Sequence, residues 1–334
     1  MKLRARATVR ALVGSSVLAL GVAWACSGPR AVLRAAGSEP QAERNAHAAP
    51  AEGTESAVGC PLSEPGHVEG RVASNSIDEL SGLVASRRQP GVFWVHNDSG
   101  DDARLFAIDG HGDTLAELAL ADVDANDIED IALGQGEPGR ADVLYVADTG
   151  DNFKRRRSVQ IYRVEEPATP RRAGAPLELE QKVQVFEVVY EDGPHDAETL
   201  LVDPTQGDLY IVTKAHLLLR EEPVGVYRLA SNELSTKRSN VARKVAEIPL
   251  GPATGGDIAV DGSAVLVRNY WGALYWPRAA GETIVQALAK APCRLSVSDV
   301  GRQGEAIGFT PDGAAFVTIA EGDHPVIYRY AFTK

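Results

Sequence analysis

A chain of 334 residues with 44% hydrophobic and 24% charged side chains can bury a sizeable core, which excludes wholesale disorder. Its formal net charge of −12 argues against nucleic acid as a partner. Aromatics are sparse at 6%, while Gly (32) and Pro (19) are plentiful, so many short strands joined by turns fit better than long helices.

The N-terminus reads as a targeting segment. Lys2, Arg4, Arg6 and Arg10 precede an apolar run from Ala11 to Ala25 that is short for a bilayer span. Residues 1–25 are expected to be a signal peptide. Ala23-Trp24-Ala25 offers a small-residue cleavage site, and Cys26 is the expected lipid-accepting cysteine of an exported lipoprotein. The expected location is membrane-anchored, periplasmic or extracellular, with membrane contact only through the N-terminal lipid. Residues 26–62 are rich in Ala, Pro, Glu and Ser without apolar period, as a tether would be. Loss of residues 1–25 removes four basic and no acidic side chains, leaving roughly −16. Cys60 and Cys293 then remain, and in an exported chain such a pair is expected to form a disulfide.

From residue 63 to 334 the chain repeats itself. Val92–Asp102 (VFWVHNDSGDD) and Val143–Asn152 (VLYVADTGDN) share one pattern, a short apolar strand ending in carboxylates, amides and glycine. Looser copies follow at 208–214, 264–270 and 315–322. Aligned on their first strands, the repeats begin at Ser81, Glu129, Glu198, Gly256 and Glu305, with offsets of 48, 69, 58 and 49 residues. Periods of this size with four strand candidates each predict an all-β propeller of five four-stranded blades. Six blades is the alternative, because the second repeat is long. A short helix is predicted over Glu282–Lys290, where Ile284, Val285 and Leu288 share a face. The last repeat stops one strand short, and His67–Val72 is expected to supply the missing outer strand and close the ring. That closure brings Cys60 towards Cys293.

The phrases at 81–83, 94–101, 128–132, 145–152, 196–200, 208–214 and 303–306 together resemble a family of exported bacterial β-propellers of unassigned function. The resemblance spans about residues 76–334 and implies fold and compartment. More distantly the chain is similar in style to propeller phytases and gluconolactonase-type propellers, whose metal centres are built from carboxylates and amides.

In a propeller the loops leading into the innermost strands and those following the second strands share one face. Here both sets are polar and mostly acidic. Glu129, Glu198 and Glu305 hold one equivalent position, so they are expected to point at one axis, where carboxylates share protons, bind a cation or pair with bases. Hard oxygen donors suit Ca2+, and no His/Cys cluster suggests zinc. Hydrogen bonding of the same acids to backbone amides between blades is the competing reading. Asn97, Asp98, Asp148, Asp151, Asn152, Lys214, Arg268, Asn269 and Tyr270 are the ligand-binding candidates, several of them equally suited to turns. Lys154–Arg157 is a basic run on this face. His195 beside Asp196 is the candidate general base. No Gly-x-Ser-x-Gly, His-Glu-x-x-His or phosphate-cradling motif is present. The expectation is a monomer that binds a small molecule or an envelope protein on its acidic face. A Ca2+-dependent phosphoesterase or lactonase, and a structural envelope lipoprotein, are the alternatives.

Overall fold

The computed structural model describes residues 60–98, 100–171, 174–215, 222–299 and 303–333. The expected signal peptide, Cys26 and most of the tether lie outside these residues.

Two N-terminal strands, β1 (Leu62–Ser63) and β2 (His67–Arg71), precede a first antiparallel meander of β3 (Leu80–Ala85), β4 (Val92–Asn97), β5 (Arg104–Asp109) and β6 (Thr114–Ala121). The second meander begins with β7 (Ile128–Gly134), β8 (Val143–Asp148) and β9 (Val159–Glu165). The chain then forms β10 (Leu177–Lys182) before β11 (Gln184–Tyr190) completes that meander against β9. The third runs β12 (Ala197–Val202), β13 (Leu209–Thr213), β14 (Val224–Leu229) and β15 (Asn240–Ile248). The fourth is β16 (Gly255–Ile258), β17 (Ala264–Asn269) and β18 (Gly272–Pro277), then helix α1 (Ile284–Leu288), then β19 (Cys293–Leu295). The chain ends with β20 (Gly304–Phe309), β21 (Ala315–Ala320) and β22 (Val326–Thr333).

Burial explains this order. The first two strands of the meanders are apolar runs such as Val143-Leu144-Tyr145-Val146, and β3, β4, β7, β8, β12, β13, β17, β20 and β21 are buried along their whole length. Outer strands alternate instead, as in β11, where Phe186, Val188 and Tyr190 are buried and Gln184 and Glu187 exposed. Each inner strand therefore packs between neighbours. Strand β3 lies against β7, β7 against β12, β12 against β16, β16 against β20, and β20 against β3. Apolar clusters fill the seams; Leu83, Phe93 and Phe106 of the first meander pack with Val317, Ile319 and Ile327 of the last. The fold is an all-β, propeller-like ring.

The termini meet in one sheet. Strand β2 pairs antiparallel with β22, with His67 opposite Arg329 and Arg71 opposite Val326, and β1 adds Leu62 opposite Thr333. Just upstream of β1, Cys60 is joined to Cys293 of β19 by a disulfide with a Cα–Cα separation of 5.6 Å. The excess length of the second repeat goes into β10, which leaves its own meander and pairs parallel with β6, Leu177 opposite Ala116 through Lys182 opposite Ala121. Helix α1 starts with a capping box in which Thr283 and Gln286 bond each other's backbone amides. It buries Ile284 and Leu288 in the seam between the third and fourth meanders.

Side chains also stitch the inner strands. Ser81 donates to the carbonyl of Glu129 at 2.9 Å, Thr149 to that of Ala197 at 2.8 Å, and Thr254 to that of Gly304 at 3.0 Å. Asp130 of β7 accepts from Leu200 N of β12 at 2.8 Å, and Asp257 of β16 accepts from Phe309 N of β20 at 2.9 Å. Burial outweighs these amides, pushing Asp130 well up and Asp257 to about 7. Both carboxyls are thus structural bridges.

Candidate metal and ligand site

The acidic face is built by residues that first fix their own loops. Asp148, at the end of β8, accepts the backbone amides of Asn126 at 3.0 Å and Asp127 at 3.1 Å, the Tyr162 hydroxyl at 2.8 Å, and an ion pair from Arg156 at 2.7 Å. Asn97 ends β4 in the same role, donating to Ser76 O and to Asp101, both at 2.8 Å. Asn269 ends β17 by accepting from Trp271 N at 3.0 Å and Gly272 N at 3.1 Å. These three candidates tie backbone in place. In the same way Asp151 donates its amide to Asp196 and accepts that of Arg156, while Asn152 is exposed.

What those loops present is a group of carboxylates around Asp98. Carboxylate oxygens of Asp98, Asp127 and Glu129 lie within 4.8 Å of one another, and so do those of Asp98, Glu305 and Glu321. Glu129 is 3% exposed, and burial, then Asp98 and Asp127, hold its carboxyl well above the usual range. Asp127 is pushed up to about 6 by burial and by Asp98 and Asp196. Burial, then Asp98, raises Glu305 against the hydrogen bond it shares with Glu321, while burial and Glu305 push Glu321 up to about 9. Tyr270 donates to Glu305 at 3.2 Å. Its own phenol is raised by burial and by Glu305.

The three equivalent glutamates fall into different environments. Glu129 and Glu305 join separate groups that share Asp98, whereas Glu198 forms an ion pair with Lys214. The Lys214 ammonium lies 5.9 Å from the Tyr270 ring centroid, and its charge opposes the rise at both Glu129 and Glu305. Asp127 and Glu321 are therefore the members that sequence equivalence did not single out as ligands. Asp127 sits two residues before Glu129, just ahead of β7, and this short spacing was the available signal.

Other candidates stand elsewhere. Arg268 is fully buried, paired with Asp299 at 3.2 and 3.3 Å and donating to Ala306 O at 3.1 Å. His195 bonds Asp192 at 2.9 Å and the Tyr227 hydroxyl at 2.8 Å, its ring packed on Tyr190 and Tyr227. In the basic run, Arg156 turns inward to Asp148 and Gly150 O, while Lys154, Arg155 and Arg157 are exposed beside Phe153.

No protein-family model and no curated protein matches this chain. Among solved structures the chain is similar to one described as the crystal structure of a nidogen/laminin complex, at 12% identity over 73% of each chain and a TM-score of 0.42. That likeness is distant and assigns nothing to this chain.

Proposed function

We propose that the chain is an exported, lipid-anchored, five-bladed propeller whose acidic face binds a divalent cation and, around it, a small anionic molecule or an envelope protein. The observation that carries this reading is the gathering of Asp98, Asp127, Glu129, Glu305 and Glu321 in two groups with a common member. Like charges that close must be relieved by protons or by a cation. Oxygen donors alone favour Ca2+, which takes six to eight of them and would leave positions open for a ligand. Five blades are supported by the cyclic order of β3, β7, β12, β16 and β20, with β10 absorbed as an extra edge strand of the first meander. Export is supported by the basic-then-apolar N-terminus and by the Cys60–Cys293 bond.

Binding is favoured over hydrolysis. His195, the one base the sequence offered, is held by Asp192 and Tyr227 rather than by the central carboxylates.

The test is thermal unfolding of the exhaustively chelated protein with and without Ca2+, alongside metal analysis of the untreated protein. Bound metal and a raised melting temperature are expected, since a cation at a hundred times its Kd stabilises by about 2.7 kcal/mol. No metal and no shift would overturn the reading. Fractionation of cells expressing Cys26→Ala tests the anchor, with release from the membrane as the expected result.

A further inference from the structure

We propose that the seam between the second and third meanders holds a site for a small organic phosphate, in which Arg163 and Lys237 receive the phosphate group and Tyr145 and Phe186 supply the apolar wall. This does not rest on the cation-binding reading.

The site is a cavity of about 520 Å3 lined by Tyr145 of β8, Arg163 of β9, Phe186 of β11 and the loop from Leu234 to Lys237 that follows β14. A volume of this order suits a small molecule. It lies at the strand ends away from the acidic loops: Glu129 is the second residue of β7, whereas Gln135, which also lines the cavity, follows the last.

The chain carries 46 acidic against 34 basic residues, yet among the described residues no carboxylate lines this cavity. Two cations do, and among the described residues neither Arg163 nor Lys237 forms an ion pair. Arg163 Nη1 donates to Gln184 Oε1 at 3.2 Å, while its Nε is buried and meets no acceptor among the described residues. The guanidinium stands 5.8 Å from the Tyr145 ring centroid. A buried N–H of a cation is costly without an acceptor, and the planar guanidinium is matched by an oxyanion that takes two N–H groups at once. Phosphate is favoured over carboxylate by the number of donors. The Ser235 hydroxyl accepts the Lys237 amide at 3.2 Å, which leaves its own proton to donate, and Thr236 adds a second hydroxyl to the lining. Three terminal oxygens can use these donors together with Arg163 and Lys237, where two cannot.

The loop is fixed in advance. Buried Asn240 accepts from Ser235 N at 2.8 Å and donates to Ser235 O at 3.0 Å and to Glu187 O of β11 at 2.9 Å. Leu234 packs on the apolar cluster that contains Tyr145 and Phe186. The Lys237 loop is therefore held against the meander that carries Arg163, which lowers the ordering cost of binding.

The experiment is isothermal titration of the purified chain with phenyl phosphate at constant ionic strength in chelator, with inorganic phosphate and benzoate as comparators. Arg163→Gln, Lys237→Gln and Arg243→Gln are titrated beside the parent, and circular dichroism checks that each is folded. Phenyl phosphate is expected to bind more tightly than either comparator. Arg163→Gln should weaken it at least about tenfold, as loss of a charge-assisted hydrogen bond does, and Lys237→Gln should weaken it about threefold. Arg243, exposed and outside the cavity, should leave affinity within about twofold when replaced. No binding of phenyl phosphate, or equal binding by the parent and a folded Arg163→Gln, overturns the site. Benzoate binding as tightly as phenyl phosphate overturns the phosphate class, and inorganic phosphate doing so overturns the apolar wall. None of these results bears on the cation-binding face, because chelator is present throughout.

Discussion

Arg268 and Asp299 face each other as a two-point ion pair with side-chain exposures of 0% and 1%. The guanidinium also donates to the carbonyl of Ala306, so it spans from β17 to β20 across the seam between the last two meanders. Gly304 makes room for it, since a Cβ there would stand 1.9 Å from Arg268 Nη2. Removing one partner strands the other charge. Arg268→Met is expected to cost about 3–5 kcal/mol in urea unfolding, and the double variant Arg268→Met, Asp299→Leu to recover a substantial part of it. A ligand-binding role for Arg268 predicts instead a stable single variant.

The Cys60–Cys293 bond ties the chain ahead of the closing strands to the outer strand of the neighbouring meander. Replacing both cysteines by alanine is expected to lower stability by about 2–4 kcal/mol. The same loss should follow reduction of the parent protein, and reduction should leave the alanine variant unchanged.

Asp148 is 1% exposed and takes two backbone amides, a phenol and a guanidinium. Hydrogen bonds to a charged group contribute about 1.5–3 kcal/mol each, so Asp148→Ala should be severely destabilising, by about 3 kcal/mol or more. Asp148→Asn keeps the shape and loses the charge facing Arg156, and should fall between the two in chemical denaturation.

The Glu305–Glu321 pair gives a pH dependence whose sign is fixed by a raised folded pKa. Glu321 is pushed up to about 9 by burial and by Glu305, above its unfolded value near 4.5. The stabilisation is complete below that unfolded value and is lost as pH rises through about 9. In chelator, the melting temperature of the parent should therefore decline between neutral pH and pH 9 more steeply than that of Glu321→Gln. Parallel curves would show that the pair does not share a proton.

The strand order was legible because each repeat carries two apolar runs buried on both faces, and Val92–Asn97 and Val143–Asp148 are bounded as their sequence reads. So was the pairing of the segment at His67 with the last strand. The parallel strand at Leu177–Lys182 was not, because Leu-Glu-Leu-Glu-Gln-Lys has only two apolar residues and takes its partner from a different repeat. At the site, repeat equivalence located Glu129, Glu198 and Glu305 but carried no information on their neighbours. Which glutamate meets a lysine, another acid or nothing depends on loops that differ among the repeats: Lys214 follows β13, where Asp98 follows β4. Asn97, Asp148 and Arg268 read as ligands because polar residues at strand ends look alike in sequence whether they bind backbone or solvent.

The most direct measurement is anomalous scattering from a crystal of the protein grown with Mn2+ as a stand-in for Ca2+. A strong peak bounded by carboxylate oxygens of Asp98 and its neighbours among Asp127, Glu129, Glu305 and Glu321 is the predicted result. No peak on this face at full Mn2+ would contradict the account.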